Sequence, residues 1–154
     1  LDLIRKQKSA EVITSDTTKT LTAIAVDTTQ AKSKFVFKED GDYFWVTIVQ
    51  NGKGDITKFK TKLSDINSQS FSMDELTISS VFLDINNQLV SVKSFDGKEH
   101  AMQYYNFFKD NAEAFKDLVP GTYQSFIISS ENYITFYKDK NIQDYQQFFT
   151  QNFK

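Results

Sequence analysis

The sequence predicts an α+β fold of the ferredoxin-like split βαβ type, with the element order β-α-β-β-α-β. Residues 43–71 and 76–108 each read as strand material followed by an amphipathic helix, and one further strand comes after the second unit. The four strands would form one antiparallel sheet with both helices on one face. Residues 34–154 would then be a single domain, which is long enough to bury a core.

The first unit opens with an aromatic and β-branched strand. Tyr43–Gln50 (YFWVTIVQ) is a nearly continuous apolar run, which is typical of a central strand covered on both faces. Residues 51–54 (NGKG) break this run, and Asp55 is placed to cap a helix. The apolar residues that follow at helical spacing are Ile56, Phe59, Leu63 and Ile66.

The second unit begins with a hairpin. Leu76–Leu83 and Leu89–Phe95 read as two strands around the turn Asp84–Gln88. A helix is predicted to follow from Lys98 and to end before the only proline, Pro120. Its predicted apolar stripe is Ala101, Tyr105, Phe108, Ala112 and Phe115.

The C-terminal part predicts a fourth strand, Tyr123–Ser129, and then two short aromatic helices over Glu131–Lys138 and Ile142–Phe153. These helices are expected to cover an edge of the sheet or part of its second face. Residues 1–33 show no sustained period. We expect them to be a leader or linker, in which Leu21–Val26 forms a short strand at most.

The composition argues against several classes of function. A formal charge of −2, with the basic side chains spread singly, gives no attraction for nucleic acid or for a membrane surface. The chain has no cysteine, which removes disulfides and thiolate nucleophiles and fits an oxidising compartment. No apolar run approaches the roughly 20 residues of a membrane-spanning helix. We therefore expect no nucleic-acid partner and no insertion of this segment into a membrane.

The polar residues form no recognisable catalytic or ligand-binding pattern. His100 is the only histidine, and beside Glu99 it is expected to be a solvated surface residue. Asp40-Gly41-Asp42 does not begin a calcium loop, because the twelfth position is Asn51 rather than glutamate. Gly52-Lys53-Gly54 has neither the Walker nor the Rossmann spacing. We expect no catalytic, cofactor-binding or metal-binding residues, and no enzyme.

Aromatic residues are the most unusual part of the composition, with 15 Phe and 7 Tyr. Adjacent pairs on the predicted helices, such as Phe107 and Phe108, cannot all point inward. An exposed aromatic strip would suit a protein partner or a sugar ring. The candidates for this strip are Tyr104, Phe107, Tyr137 and Phe148.

Parts of the chain resemble known families. Val92–Phe108 (VKSFDGKEHAMQYYNFF) is similar to the second half of a sporulation-related (SPOR-type) repeat. Such repeats have this fold and bind peptidoglycan glycan strands that lack stem peptides. A longer resemblance rests on Lys62–Asn67 (KLSDIN), on Val92–Phe95 with Ala101-Met102, and on the segment Ile128–Lys138. These residues resemble the C-terminal domain of tetratricopeptide-repeat periplasmic lipoproteins of the Bacteroidetes type IX secretion and gliding-motility system (the SprE/PorW-like group).

The longer resemblance implies a cellular setting. The domain would lie in the periplasm, associated with the outer membrane through a lipid anchor outside this segment. The start at Leu1 fits a piece of a longer polypeptide that would contain the helical repeats. The expected function is a non-catalytic interaction domain that docks onto protein subunits of the secretion and motility machine. The alternative is a SPOR-like peptidoglycan-binding module, and an enzyme of unknown type is a more remote one.

Overall fold

An antiparallel sheet of four strands organises the part of the chain that the computed structural model describes, residues 33–153. From Phe35 onward these residues belong to one compact unit. The elements in chain order are β1 (Asp42–Gln50), α1 (Ile56–Ser70), β2 (Thr77–Phe82), β3 (Asn87–Asp96), α2 (Gly97–Lys109), a 3-10 helix (Ala112–Phe115), β4 (Tyr123–Ser129), α3 (Ser130–Asp139) and α4 (Ile142–Asn152). The expectation of a short strand at Leu21–Val26 lies outside the described residues.

The strands lie in the order β2-β3-β1-β4, and every neighbouring pair is antiparallel. The connection through α1 carries the chain from β1 past β3 to the outer strand β2, and the connection through α2 carries it from β3 past β1 to β4. This is the split βαβ arrangement, so the predicted ferredoxin-like fold class is confirmed. A register shift between Tyr43 and Trp45, which pair with Phe95 and Val92, marks a bulge with one extra residue in β3 where it pairs with β1.

The core on the first face of the sheet is built around Trp45 of β1, which is fully buried. Its ring lies 5.5 Å from the Tyr104 ring and 5.3 Å from the Phe108 ring, both on α2. Phe115 of the 3-10 helix lies between the Trp45 ring (6.4 Å) and the ring of Phe59 on α1 (5.6 Å). Both connecting helices therefore pack on the same face, as expected.

Helix α2 differs from its prediction in two respects. Its buried residues include Ala101, Tyr104 and Phe108, so the stripe contains Tyr104, which was not predicted, while the predicted Tyr105 is half-buried against the core and packs on Phe149. The helix also ends at Lys109 rather than continuing to Phe115. The chain turns at residues 110–111 and resumes as the 3-10 helix Ala112–Phe115, and this turn allows Phe115 to contact Trp45.

The two C-terminal helices cover the second face and one edge of the sheet. Tyr133 of α3 packs on Phe44 of β1 at 5.4 Å between ring centroids. Helix α4 lies along β4, where the Tyr145 hydroxyl donates a 2.7 Å hydrogen bond to the Ile127 carbonyl. Asn141 caps α4 by accepting a bond from the Asp144 amide, as predicted.

Residues 35–38 are held against the start of α3 by the side chain of Asn132, which bonds to a backbone amide and a backbone carbonyl as a neighbouring strand would. The Asn132 carboxamide accepts from the Val36 amide at 3.0 Å and donates to the Val36 carbonyl at 2.8 Å. Lys38 forms an ion pair with Glu131 at 2.6 Å. This attachment places Phe35 on the rings of Tyr145 and Phe148.

The glycine-rich turn before α1 has a structural explanation. Gly54 forms a bridge with Leu118, and a Cβ at Gly54 would lie 2.7 Å from Leu118 Cδ2 and 2.8 Å from the Asp117 carbonyl oxygen. Only glycine allows the two loops to approach this closely.

Candidate functional site

Two of the four predicted strip residues are buried. Tyr104 packs in the core, and its hydroxyl donates a 2.7 Å hydrogen bond to Asn67 Oδ1. Phe148 lies beneath Phe35, at 5.7 Å between ring centroids. The prediction that these two residues are exposed is wrong, because α2 turns Tyr104 toward α1 and residues 35–38 cover the outer side of α4.

The other two predicted residues are accessible but lie on different layers. Phe107 is 37% exposed and packs edge-on against Phe71 at the end of α1. Tyr137 is half-buried on α3, where it stacks on Tyr133 and carries the Lys140 ammonium 4.0 Å from its ring centroid. The sheet separates α2 from α3, so the four candidates do not form one strip.

His100 has a polar partner that sequence reasoning did not anticipate. Its Nε2 atom lies 3.3 Å from Asp74 Oδ2, and its ring packs edge-on against Phe95. The contact joins the first turn of α2 to the loop after α1.

Within residues 33–153 no group of three or more His, Cys, Asp or Glu side chains is arranged to hold a metal ion. None of the helices described there is long and apolar enough to cross a membrane.

The most distinctive surface is the outer edge of β2, which sequence reasoning did not single out. The Leu83 amide donates to the Asn87 carbonyl at 2.9 Å. Bonded pairs alternate along an antiparallel ladder, so Val81 and Ser79 direct their backbone groups toward β3. The residues whose amide and carbonyl groups point away from the sheet are Ile78, Ser80 and Phe82. Among residues 33–153 no hydrogen-bond partner reaches these backbone groups.

The opposite edge of the sheet, formed by β4, is covered by a helix. Along β4, helix α4 packs against the strand, and the outward-facing carbonyl of Ile127 accepts the Tyr145 hydroxyl. Within residues 33–153, one edge is thus covered by an aromatic helix and the other is accessible. Strand β2 (TISSVF) also has no proline or charged residue, which are the usual devices that keep an edge strand from pairing.

A groove runs beside the outer edge of β2, between this strand and α1. Two adjoining depressions of about 380 and 270 Å³ share Ser64, Leu76 and Ile78 in their walls. Most of the remaining lining is polar. Lys60 of α1 reaches across the groove and donates to the Ser80 hydroxyl at 3.0 Å.

The hairpin end of this edge is apolar. Phe82 at the end of β2 is 62% exposed, and Ile85 in the following turn is 87% exposed. Val81 of β2 is also exposed. A row of unpaired backbone groups that ends in exposed apolar side chains can accept another extended chain as an additional strand. The signal in the sequence was the absence of a protecting residue in TISSVF, which has meaning only once β2 is known to be an edge strand.

No protein-family model matches the chain, and no curated protein or solved structure matches it.

Proposed function

We propose that this chain is a non-catalytic interaction domain that binds an extended segment of a partner protein as a fifth strand at the outer edge of β2. The observation that supports this most strongly is the contrast between the two sheet edges. One edge is covered by α4 through the bond from Tyr145 to Ile127, and the other presents the backbone groups of Ile78, Ser80 and Phe82.

An extended peptide suits this edge for a geometric reason. The outward amide and carbonyl groups recur at every second residue of β2, and a parallel or antiparallel strand repeats its own groups with the same period. A bound segment would also cover Phe82 and Ile85, which favours an apolar residue at that end of the segment. Near Lys60 a polar or acidic side chain would be favoured.

The resemblance to type IX secretion lipoproteins suggests where such a partner occurs. On this proposal the domain lies in the periplasm, is associated with the outer membrane through an anchor elsewhere in the protein, and docks onto other subunits of the secretion and gliding machine. Pairing through a sheet edge joins two proteins without requiring a catalytic group.

Glycan binding is the competing function, but no observation favours it. A SPOR-type module uses one face of its sheet, and here Tyr133 of α3 packs on Phe44 of the face that the connecting helices leave open. Cosedimentation with peptidoglycan sacculi, intact and stripped of stem peptides, at two salt concentrations tests this alternative. Binding that requires stripped glycan would overturn the proposal, and no binding to either preparation is expected.

Strand addition is tested directly with a selected peptide. Dodecapeptides are selected from a random library on the immobilised full chain, and the tightest is titrated against variants. Ser80→Pro removes an amide that the sheet does not use, so the fold is expected to persist, as checked by thermal unfolding. Phe82→Lys adds a charge at the edge, and Ile134→Lys on α3 is its control, since Ile134 is 58% exposed.

We expect both β2 variants to weaken binding at least tenfold and Ile134→Lys to leave it unchanged. If the selected peptide binds the Ser80→Pro and Phe82→Lys variants as tightly as the unmodified chain, the outer edge of β2 is not the docking site. Pairing of β2 with a second copy of the chain would instead appear as a dimer that both β2 variants convert to a monomer, and this result would also contradict the proposal.

A further inference from the structure

One row of side chains on β2 lies on the same face of the sheet as α1. Side chains alternate between the two faces of a strand, so Ile78, Ser80 and Phe82 share one face. Lys60 of α1 donates a 3.0 Å hydrogen bond to the Ser80 hydroxyl, which identifies this as the first face. A strand added at the edge places the residues directly opposite these three on the same face, two positions apart from one another.

Lys60 is the charge that the middle one of those residues would meet. Among the described residues that line the groove between β2 and α1, Lys60 and Asp74 are charged. Asp74 contacts His100 at 3.3 Å, whereas no acidic side chain within residues 33–153 pairs with Lys60. An ammonium group has three donors, and Ser80 receives one of them. The other two remain for a carboxylate on the residue opposite Ser80.

The positions on either side of Ser80 in this row are apolar. Ile78 is half-buried and lines both depressions of the groove together with Leu76. Phe82 is exposed at the other end of the row. Apolar residues opposite Ile78 and Phe82 would remove these surfaces from water, which is favourable. The first face therefore presents an apolar, a basic and a second apolar position in sequence.

We infer that the segment bound at β2 has an acidic residue, with one apolar residue two positions before it and another two positions after it. The pattern is symmetric, so it applies to a segment that runs parallel or antiparallel to β2. The residues between these three lie on the second face, opposite Ser79 and Val81, away from the groove. This inference rests on the proposed docking function and adds the chemistry by which the partner is recognised.

Selection from a random dodecapeptide library tests the pattern. Peptides are selected on the immobilised full chain, and those that also bind the Ser80→Pro variant are discarded. The remaining sequences should share an acidic residue between two apolar residues, at a spacing of two. The same selection on Lys60→Glu should replace the acidic residue by lysine or arginine and should keep both apolar residues.

Lys58→Glu is the matched control for Lys60→Glu. It makes the same change of net charge on the same helix, at an exposed lysine that does not line the groove. Peptides selected on Lys58→Glu should keep the acidic residue. Thermal unfolding of both variants checks that they are folded.

Titration of one selected peptide measures how much the charge contributes to binding. Lys60→Glu should weaken binding about three- to tenfold, because it replaces the attraction within a partly exposed charge pair by a repulsion. Lys58→Glu should weaken it by less than about twofold, because the charge there lies outside the contact. Glutamine in place of the acidic residue of the peptide should also weaken binding to the unmodified chain.

The possible failures of this inference and of the docking function are distinguishable. An acidic residue that persists in the peptides selected on Lys60→Glu would overturn the inference and leave docking at β2 intact. Selected peptides that lack the two apolar residues would do the same. If every selected peptide binds Ser80→Pro as tightly as the unmodified chain, the docking function is overturned together with the inference.

Discussion

Three tyrosine hydroxyl groups are buried in this aromatic core, and each donates one hydrogen bond to a different segment of the chain. Tyr43 donates to the Lys38 carbonyl, Tyr104 to Asn67 Oδ1 and Tyr145 to the Ile127 carbonyl, all at 2.7 Å. Burial raises the pKa of all three hydroxyls. These tyrosines therefore specify how the elements meet, in addition to filling volume.

Removal of the Tyr104 hydroxyl tests how much the hydrogen bond to Asn67 contributes to stability. Tyr104→Phe leaves Asn67 Oδ1 without its donor in a site where Asn67 Nδ2 is also unpartnered among the described residues. We expect the free energy of unfolding to fall by about 1–2 kcal/mol in urea titrations. Tyr105→Phe is the control, since Tyr105 is half-buried, and it should cost less than about 0.5 kcal/mol. Equal losses in the two variants would show that the bond to Asn67 contributes nothing.

The raised tyrosine pKa values predict an alkaline limit of stability. Burial raises the pKa of Tyr43 from 10.0 to about 12, so above pH 10 the unfolded chain loses its proton first. The unfolded state then binds fewer protons than the folded state, and stability falls as the pH rises from 10 to 12. The slope should reach up to about 1.4 kcal/mol per pH unit for each such tyrosine.

Urea titrations between pH 8 and pH 11.5 measure this slope. Stability should be level near pH 8–9 and should decline above pH 10, and the decline should be shallower in Tyr43→Phe. A Tyr43→Phe variant with an unchanged slope would assign the alkaline transition to other groups.

The choice between adjacent aromatic residues is where sequence reasoning is weakest. From Ala101, both Tyr104 and Tyr105 fit a helical repeat that continues to Phe108, so spacing alone does not select one. The selection is made by Asn67, a partner 37 positions away in the sequence. Phe148 is buried for a similar reason, since its cover comes from Phe35.

At the scale of elements, single side chains form hydrogen bonds with backbone groups that the strand pairing leaves free. Asn132 binds both backbone groups of Val36, and Tyr145 binds the outward carbonyl of β4. Strands and helices themselves were predictable, because period-2 and period-3.6 patterns are local. The early end of α2 at Lys109 was not, since the following 3-10 helix is stabilised by contacts of Phe115 with Trp45 and Phe59.

Because Asn132 anchors residues 35–38, its removal is expected to affect both the stability of the whole fold and the accessibility of this segment to a protease. Asn132→Ala should lower the free energy of unfolding by about 2 kcal/mol, because two hydrogen bonds are lost from a buried site. Trypsin should also cut after Lys38 faster, since residues 35–38 lose their anchor. Asn106→Ala, at an exposed position on α2, is the control and should alter neither property. Unchanged cleavage at Lys38 in the Asn132→Ala variant would mean that Phe35 alone holds this segment.

At the scale of the whole molecule, the two edges of the sheet carry the functional argument. The sequence predicted four strands and the helices that follow them, and it also predicted that aromatic helices cover part of the sheet. It did not show which edge remains accessible, because that depends on the strand order, and the strand order is set by non-local pairing. The candidate surface at Phe82 and Ile85 therefore became visible only in the folded chain.

If β2 receives an extended segment of another protein, a photo-crosslinker placed on this strand should capture that segment. A photoreactive phenylalanine is placed at Phe82 in the full-length protein in its native cells, with Ile134 as the control position of similar exposure. We expect an adduct with a segment of a different protein at Phe82 only, which Ser80→Pro abolishes. Equal adducts at Phe82 and Ile134, or an adduct at Phe82 that persists in Ser80→Pro, would contradict it.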